Sequence, residues 1–179
     1  MEMLTANWLG ALAVAVDRRV EDAAGGRGGT EMAALLTCWY FPDTTVGELA
    51  KVLALTGSGA VRLVDRLEQD GLVRRLPSRG RQVVVRLSER GRRLAKRLQC
   101  GRLQVIDEVL SVLSAEERRQ LGSLLEAVLL RAPLDAERAR QTCRFCDHGR
   151  CDGERCPVGR SVRARGERTV RAASLGGPA

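Results

Sequence analysis

The feature that most constrains the fold is a change of hydrophobic period between residues 45 and 87. In "TVGELAKVLALTGSGAVRLVDRLEQDGL", Thr45 to Leu72, Thr45 and Glu48 have capping-box spacing. They open a short helix from Val46 to about Leu53 that buries Val46, Leu49, Ala50 and Leu53. Thr56 or Ser58 then caps a second helix with Val61, Val64 and Leu67 on its apolar face, and Gly71 ends it. In the next stretch, "VRRLPSRGRQVVVRL", the period falls to two. Val83, Val85 and Leu87 alternate with Val84 and Arg86, and Pro77 to Gly80 supplies turn residues, so a two-stranded hairpin follows. Two short helices, a tight turn and a hairpin make a helix-turn-helix with a wing. The fold class is mainly α with a small β wing.

Helical stripes flank this unit. Leu4, Trp8, Leu12, Val16 and Val20 recur every four residues on a first helix that ends at "AAGGRGG". A second helix follows Thr30, buries Met32, Leu35, Leu36 and Trp39, and stops before Pro42. After Ser88, Leu94, Leu98, Val105, Val109 and Leu113 mark a long helix that Gly101 weakens locally. "SAEE" from Ser114 caps another, with Leu121, Leu124, Leu125, Val128 and Leu129 on one side and Pro133 at its end. These lengths divide the 179 residues into a winged helix-turn-helix with a helical dimerisation region over 1–133, a cysteine-rich module over 134–159 and a basic, disordered tail over 160–179.

Charge points to the partner. The formal charge is +8, and the segment from Arg62 to Arg97 holds twelve basic against four acidic residues, which equals the whole excess. Because this surplus coincides with the second helix and the wing, double-stranded DNA is the expected partner. The helix start "TGSGAVR" is small and polar. Thr56, Ser58 and Gly59 let backbone amides approach phosphates, and Arg62 and Arg66, one turn apart and off the apolar stripe, reach guanine or phosphate. Arg79 and Arg81 at the hairpin tip face a neighbouring minor groove. No apolar run approaches the ~18 residues of a membrane span. The run Trp8 to Val16 follows Glu2 without a basic start, so no signal peptide is expected and the expected compartment is cytoplasmic.

The same residues resemble a known family. "TVGELAKVLALTGSGAVRLVDRLEQDGLVRR" followed by "VVVRLSERG" resembles the multiple antibiotic resistance regulator (MarR) family of bacterial winged-helix repressors, through "ELA", "LTxSxxxR", "VDxLExxGLVxR" and "VxLSxxG". The resemblance spans roughly Leu4 to Arg131. It implies a homodimer whose first and last helices interlock, a pseudo-palindromic operator, DNA contacts from Ser58, Arg62 and Arg81, and a small-molecule effector. One departure is visible: Arg79 and Gly80 stand where the family's wing usually carries an Asp before its arginines.

Four of the six cysteines, Cys143, Cys146, Cys151 and Cys156, lie in "TCRFCDHGRCDGERCPVG". A close CxxC pair chelates through one turn, and Gly149 and Gly153 let the chain fold back. Four thiolates at this spacing suit tetrahedral zinc, with Zn–S about 2.3 Å, and also an iron–sulfur cluster. His148, the only histidine, is read as a bystander. Cys38 and Cys100 are read as small core or interface residues. Enzyme readings lack support, since no nucleophile has a separate His partner and no phosphate-binding glycine loop is present. The expectation is a DNA-binding regulator with a structural or sensory metal centre. Two alternatives stay open: an iron–sulfur or thiol redox sensor or electron-transfer protein, and an RNA-binding zinc-knuckle protein.

Overall fold

The computed structural model describes residues 2–77, 82–164 and 166. In chain order, α1 (Glu2–Ala23), α2 (Gly29–Tyr40), α3 (Val46–Val52) and α4 (Gly57–Gln69) precede an antiparallel hairpin of β1 (Val73–Pro77) and β2 (Val83–Leu87). Then come α5 (Glu89–Val109), α6 (Ala115–Arg131), α7 (Ala136–Thr142) and α8 (Pro157–Ala164). The mainly α architecture with a small β wing is therefore the observed one.

Local chemistry sets the boundaries. Both capping boxes form: Thr45 Oγ1 accepts from the Glu48 amide at 3.2 Å while Glu48 accepts from the Thr45 amide at 2.7 Å, and Ser114 with Glu117 repeats the arrangement. Thr56, not Ser58, caps α4, accepting from the Gly59 amide at 3.1 Å. Gly71 follows α4 with φ of 67°, the left-handed conformation that stops a helix cheaply only at glycine.

The core forms around α2, where every residue from Met32 to Cys38 is buried, so this helix is enclosed on all sides and not on one. The same core cluster takes in Leu49 of α3, Leu63, Val64 and Leu67 of α4, Leu72 before the hairpin, Val73, Val85 and Leu87 within it, and Ala95 and Leu98 of α5. The buried face of α4 is Ala60, Leu63, Val64 and Leu67; Val61, expected inward, is 45% exposed. A true 3.6-residue period selects the first set. In β2, Val84 is buried as well as Val85, because the segment before α3 adds a bridge at Thr45 and the Val85 amide donates to the Thr44 carbonyl at 2.8 Å.

Two other expectations are corrected. The long helix ends at Val109 and continues as a single 3₁₀ turn, with Gly101 accommodated inside α5 without interruption. Residues 160–164, expected as the start of a disordered tail, complete α8, where Val158 and Val162 pack with Ala139 against Leu129 and Leu134. Residues 167–179 lie outside the described residues.

The apolar stripes of α1 and α6 exist but stay open. Only Val20 of the α1 stripe is buried, while Trp8 is 62% exposed, and no α6 residue is buried. No described helix is long and apolar enough to cross a membrane.

α5 starts against the backbone that follows α4. Ser88 Oγ donates to the Gly71 carbonyl at 2.7 Å and accepts from the Gly91 amide at 3.0 Å, and a Cβ on Gly91 would run into the Leu72 carbonyl oxygen. Gly91→Ala is expected to destabilise the protein by about 1–3 kcal/mol, the range for overpacking a tight contact. A lowered urea midpoint with an unchanged slope would show it.

Candidate nucleic-acid interface and cysteine cluster

The burial of α4 on one side fixes its roll. Ser58, Arg62 and Arg66 are exposed on the other side, as expected. Thr56 and Gly59 are engaged with each other at the helix start. Arg79 and Arg81 lie outside the described residues.

Electrostatics sort the arginines further. Arg75 of β1 reaches back to α4 and pairs with Asp65 at 2.6 Å and with Glu68 at 2.5 Å, and its own amide donates to Glu68 at 2.9 Å. That amide bond, aided by the guanidinium, holds the Glu68 carboxyl below its ordinary range. Both carboxylates on this part of α4 are thus engaged by Arg75. Among the described residues, Arg62 and Arg66 have no carboxylate within ion-pair distance, and both are exposed.

The sequence reading missed the base of the wing. Arg74 and Arg86 are direct cross-strand partners, an unfavourable like-charge pair unless an anion lies between or beside them. With Arg92 they line a shallow cavity of about 280 Å³. Asp43 accepts from Arg86 at 2.6 Å, and Glu89 accepts from Arg92 through Nη2 at 2.8 Å and Nε at 3.1 Å, all on the surface. Strand register pairs Arg74 with Arg86 and the seat of α5 adds Arg92, and single-sequence periodicity fixes neither.

The cysteines converge. Cys143 lies near Cys146 and Cys156, and Cys156 lies near Cys151. As placed, the four sulfurs form a chain, and among the described residues no three His, Cys, Asp or Glu side chains close around a metal position. Hydrogen bonding from Cys143 favours the thiolate at its partners: Cys146 is lowered, and Cys156, which also accepts from the Gly159 amide at 3.2 Å, is lowered to about 5. Cys143 itself is raised by the same bonds, and burial raises Cys151 to about 12. The donor set is four thiols, two held toward the thiolate and two toward the thiol, with one sulfur taking an amide hydrogen bond; thiols are the ligand type that a thiophilic metal uses.

The module is tied to the body at three places. Tyr40 donates to Asp147 at 2.9 Å, and His148 lies edge-on to Tyr40 and Phe41 with centroids 5.2 and 5.1 Å away. Gln141 donates to the Lys51 carbonyl at the end of α3 at 3.1 Å. Phe145, between the first two cysteines, packs against the main core, and its carbonyl accepts from Arg102 at 3.1 Å. Cys38 is buried, which pushes its thiol up to about 12, whereas Cys100 is exposed.

Comparison with known proteins places this geometry. The model of the MarR family matches residues 18–82. The chain is similar in structure to the YusO protein from Bacillus subtilis, with a TM-score of 0.64 at 21% identity over 74% of this chain and 99% of that one. A MarR family protein from Bacillus stearothermophilus gives a TM-score of 0.64 at 28% identity over 72% and 94%. A MarR family protein from Mycobacterium tuberculosis, solved with salicylic acid, gives 0.54 at 27% over 68% and 93%. No curated protein matches the chain in sequence. The fold is thus the winged-helix fold of MarR regulators.

Because Glu68 is held low in the folded state, its contribution to stability is complete above the unfolded carboxylate pKa of about 4.3. That contribution is lost as pH falls through the lower folded value. Arg75→Ala removes the guanidinium's share, so denaturant midpoints compared between neutral and acidic pH should show a smaller acid-induced loss in the variant.

Proposed function

We propose that the chain is a MarR family transcription regulator, a cytoplasmic homodimer that represses by binding a pseudo-palindromic operator and carries a cysteine-ligated metal centre. The observation that carries this reading is the pairing of Arg75 with Asp65 and Glu68. It leaves Arg62 and Arg66 as uncompensated cations on the exposed face of a helix whose other face is locked in the core. Ser58 and the Thr56–Gly59 helix start would seat a phosphate, and Arg79 and Arg81 would extend the contact along the wing. Arg74, Arg86 and Arg92 would add backbone contacts at its base.

The apolar stripes of α1 and α6 supply the dimer surface. Leaving Leu124, Leu125 and Val128 exposed together costs hydrophobic free energy that a second copy recovers. Cys143, Cys146, Cys151 and Cys156 would hold zinc, with an iron–sulfur cluster as the alternative. The salicylic acid bound to the M. tuberculosis protein supports a small-molecule effector for this chain too. Regulation, and not enzymatic turnover, is the activity these features serve.

Three experiments test the parts. On a duplex selected from a randomised pool, Arg62→Ala should weaken binding by about 1–3 kcal/mol and flatten the salt dependence, as loss of a base or phosphate contact does. Unchanged affinity, or a preference for single-stranded RNA over the duplex, would refute the DNA reading. Leu125→Asp with Val128→Asp should sediment as a monomer and lose cooperative duplex binding. Anaerobic purification with elemental analysis and an absorption spectrum should give one colourless zinc per chain; iron with visible absorbance would favour the cluster.

A further inference from the structure

Arg102 stands in the middle of α5 with its guanidinium half-buried beneath the cysteine loop. Its Nη1 donates to the Phe145 carbonyl at 3.1 Å, and its guanidinium carbon lies 5.7 Å from the Phe145 ring centre. Four other half-buried arginines have carboxylates, Arg75 with Asp65 and Glu68, Arg27 with Glu31, Arg118 with Asp107 and Arg160 with Glu126, while Arg140 on α7 has none within ion-pair distance among the described residues. Among the described residues, no carboxylate lies within ion-pair distance of Arg102. Burial lowers the pKa of this guanidinium, and a thiolate at Cys146 would act in the opposite direction.

An arginine does not shed its proton. Burying one without a counter-charge costs free energy that a carbonyl and a ring face return only in part. Gln99, one turn earlier and 2% exposed, sends its Nε2 to the same Phe145 carbonyl at 3.4 Å, while its Oε1 has no hydrogen-bond partner among the described residues. Two buried donors thus converge from α5 on the turn between Cys143 and Cys146, and one of them is a cation. Four thiolates around a divalent zinc, or around an iron–sulfur cubane, carry net negative charge. A centre closed at these cysteines would supply the counter-charge that Arg102 otherwise lacks.

We propose that Arg102 is the charge partner of the cysteine-ligated centre, a positioning residue that locks the metal-bound loop onto α5. This rests on the metal reading above. The loop also touches the end of α2 through Tyr40, and Gln141 of the same module binds the end of α3. An occupied centre therefore pins three helices of the DNA-binding body together, and an emptied one leaves Arg102 as an uncompensated, half-buried cation.

The test compares thermal unfolding of the full chain, metal-loaded and chelator-stripped, for wild type, Arg102→Met and Arg102→Lys, with metal per chain and helical content measured in each. Arg102→Met should lower the unfolding midpoint of the loaded protein and weaken metal retention against a chelator by ~10-fold or more, the scale of outer-shell effects. In the stripped protein the same change should leave the midpoint unchanged or raise it, because it removes an unpaired buried charge. Arg102→Lys, which keeps the charge, should recover most of the retention. Equal destabilisation of loaded and stripped forms, or unchanged retention in a folded Arg102→Met protein that binds metal, would overturn the charge-partner role alone. A wild-type chain that holds no metal and takes up none from added zinc would overturn the metal reading and this role with it.

Discussion

The burial of Leu63, Val64 and Leu67 in the core around α2 is the constraint on which the rest of the protein depends. A helix packed through one face has no freedom to roll, so the exposed positions of α4 are decided by the apolar ones. The hairpin packs on the same core through Val73, Val85 and Leu87, and Arg75 bridges from it to α4. The base of the hairpin and α4 thereby share one packed core and one ion-pair network. The basic residues owe their availability to this arrangement: the carboxylates nearby on α4 are drawn to Arg75, and the charge that remains unpaired is the charge that faces outward.

A second constraint runs through α5. Its start is wedged under the backbone at Leu72, where only glycine fits at position 91, and its middle carries the seat of the cysteine loop at Gln99 and Arg102. One helix thus connects the base of the wing to the cysteine cluster. The cluster is not a loosely tethered appendage, since Phe145 enters the main core and the cysteines flanking it set its position. The sulfurs are joined to the winged-helix body through Phe145 and α5.

Much of this was legible in the sequence, for physical reasons. Capping boxes at Thr45 and Ser114 and the glycine after α4 are local signals, and local signals survive folding unchanged. The shift of period at Val83 announced the hairpin. What the sequence did not disclose depends on contacts between distant segments. A spacing of three is compatible with either edge of a helical stripe, so periodicity puts Val61 inward, whereas packing buries Ala60 and Leu63. Residues 160–164 looked disordered because their composition is basic, yet Val162 finds Ala139 and Leu129 to pack against. The charge pairing of Arg75, the like-charged pair of Arg74 and Arg86, and the lack of a carboxylate at Arg102 require register and tertiary position. No linear pattern encodes them.

Under the proposed function, two copies of this surface engage one duplex. The most direct measurement is a hydroxyl-radical footprint on a selected duplex, combined with the mass of the complex in solution. Two protein chains per duplex and two protected tracts about one helical turn apart are the predicted result. A single protected tract with one chain per duplex would contradict it.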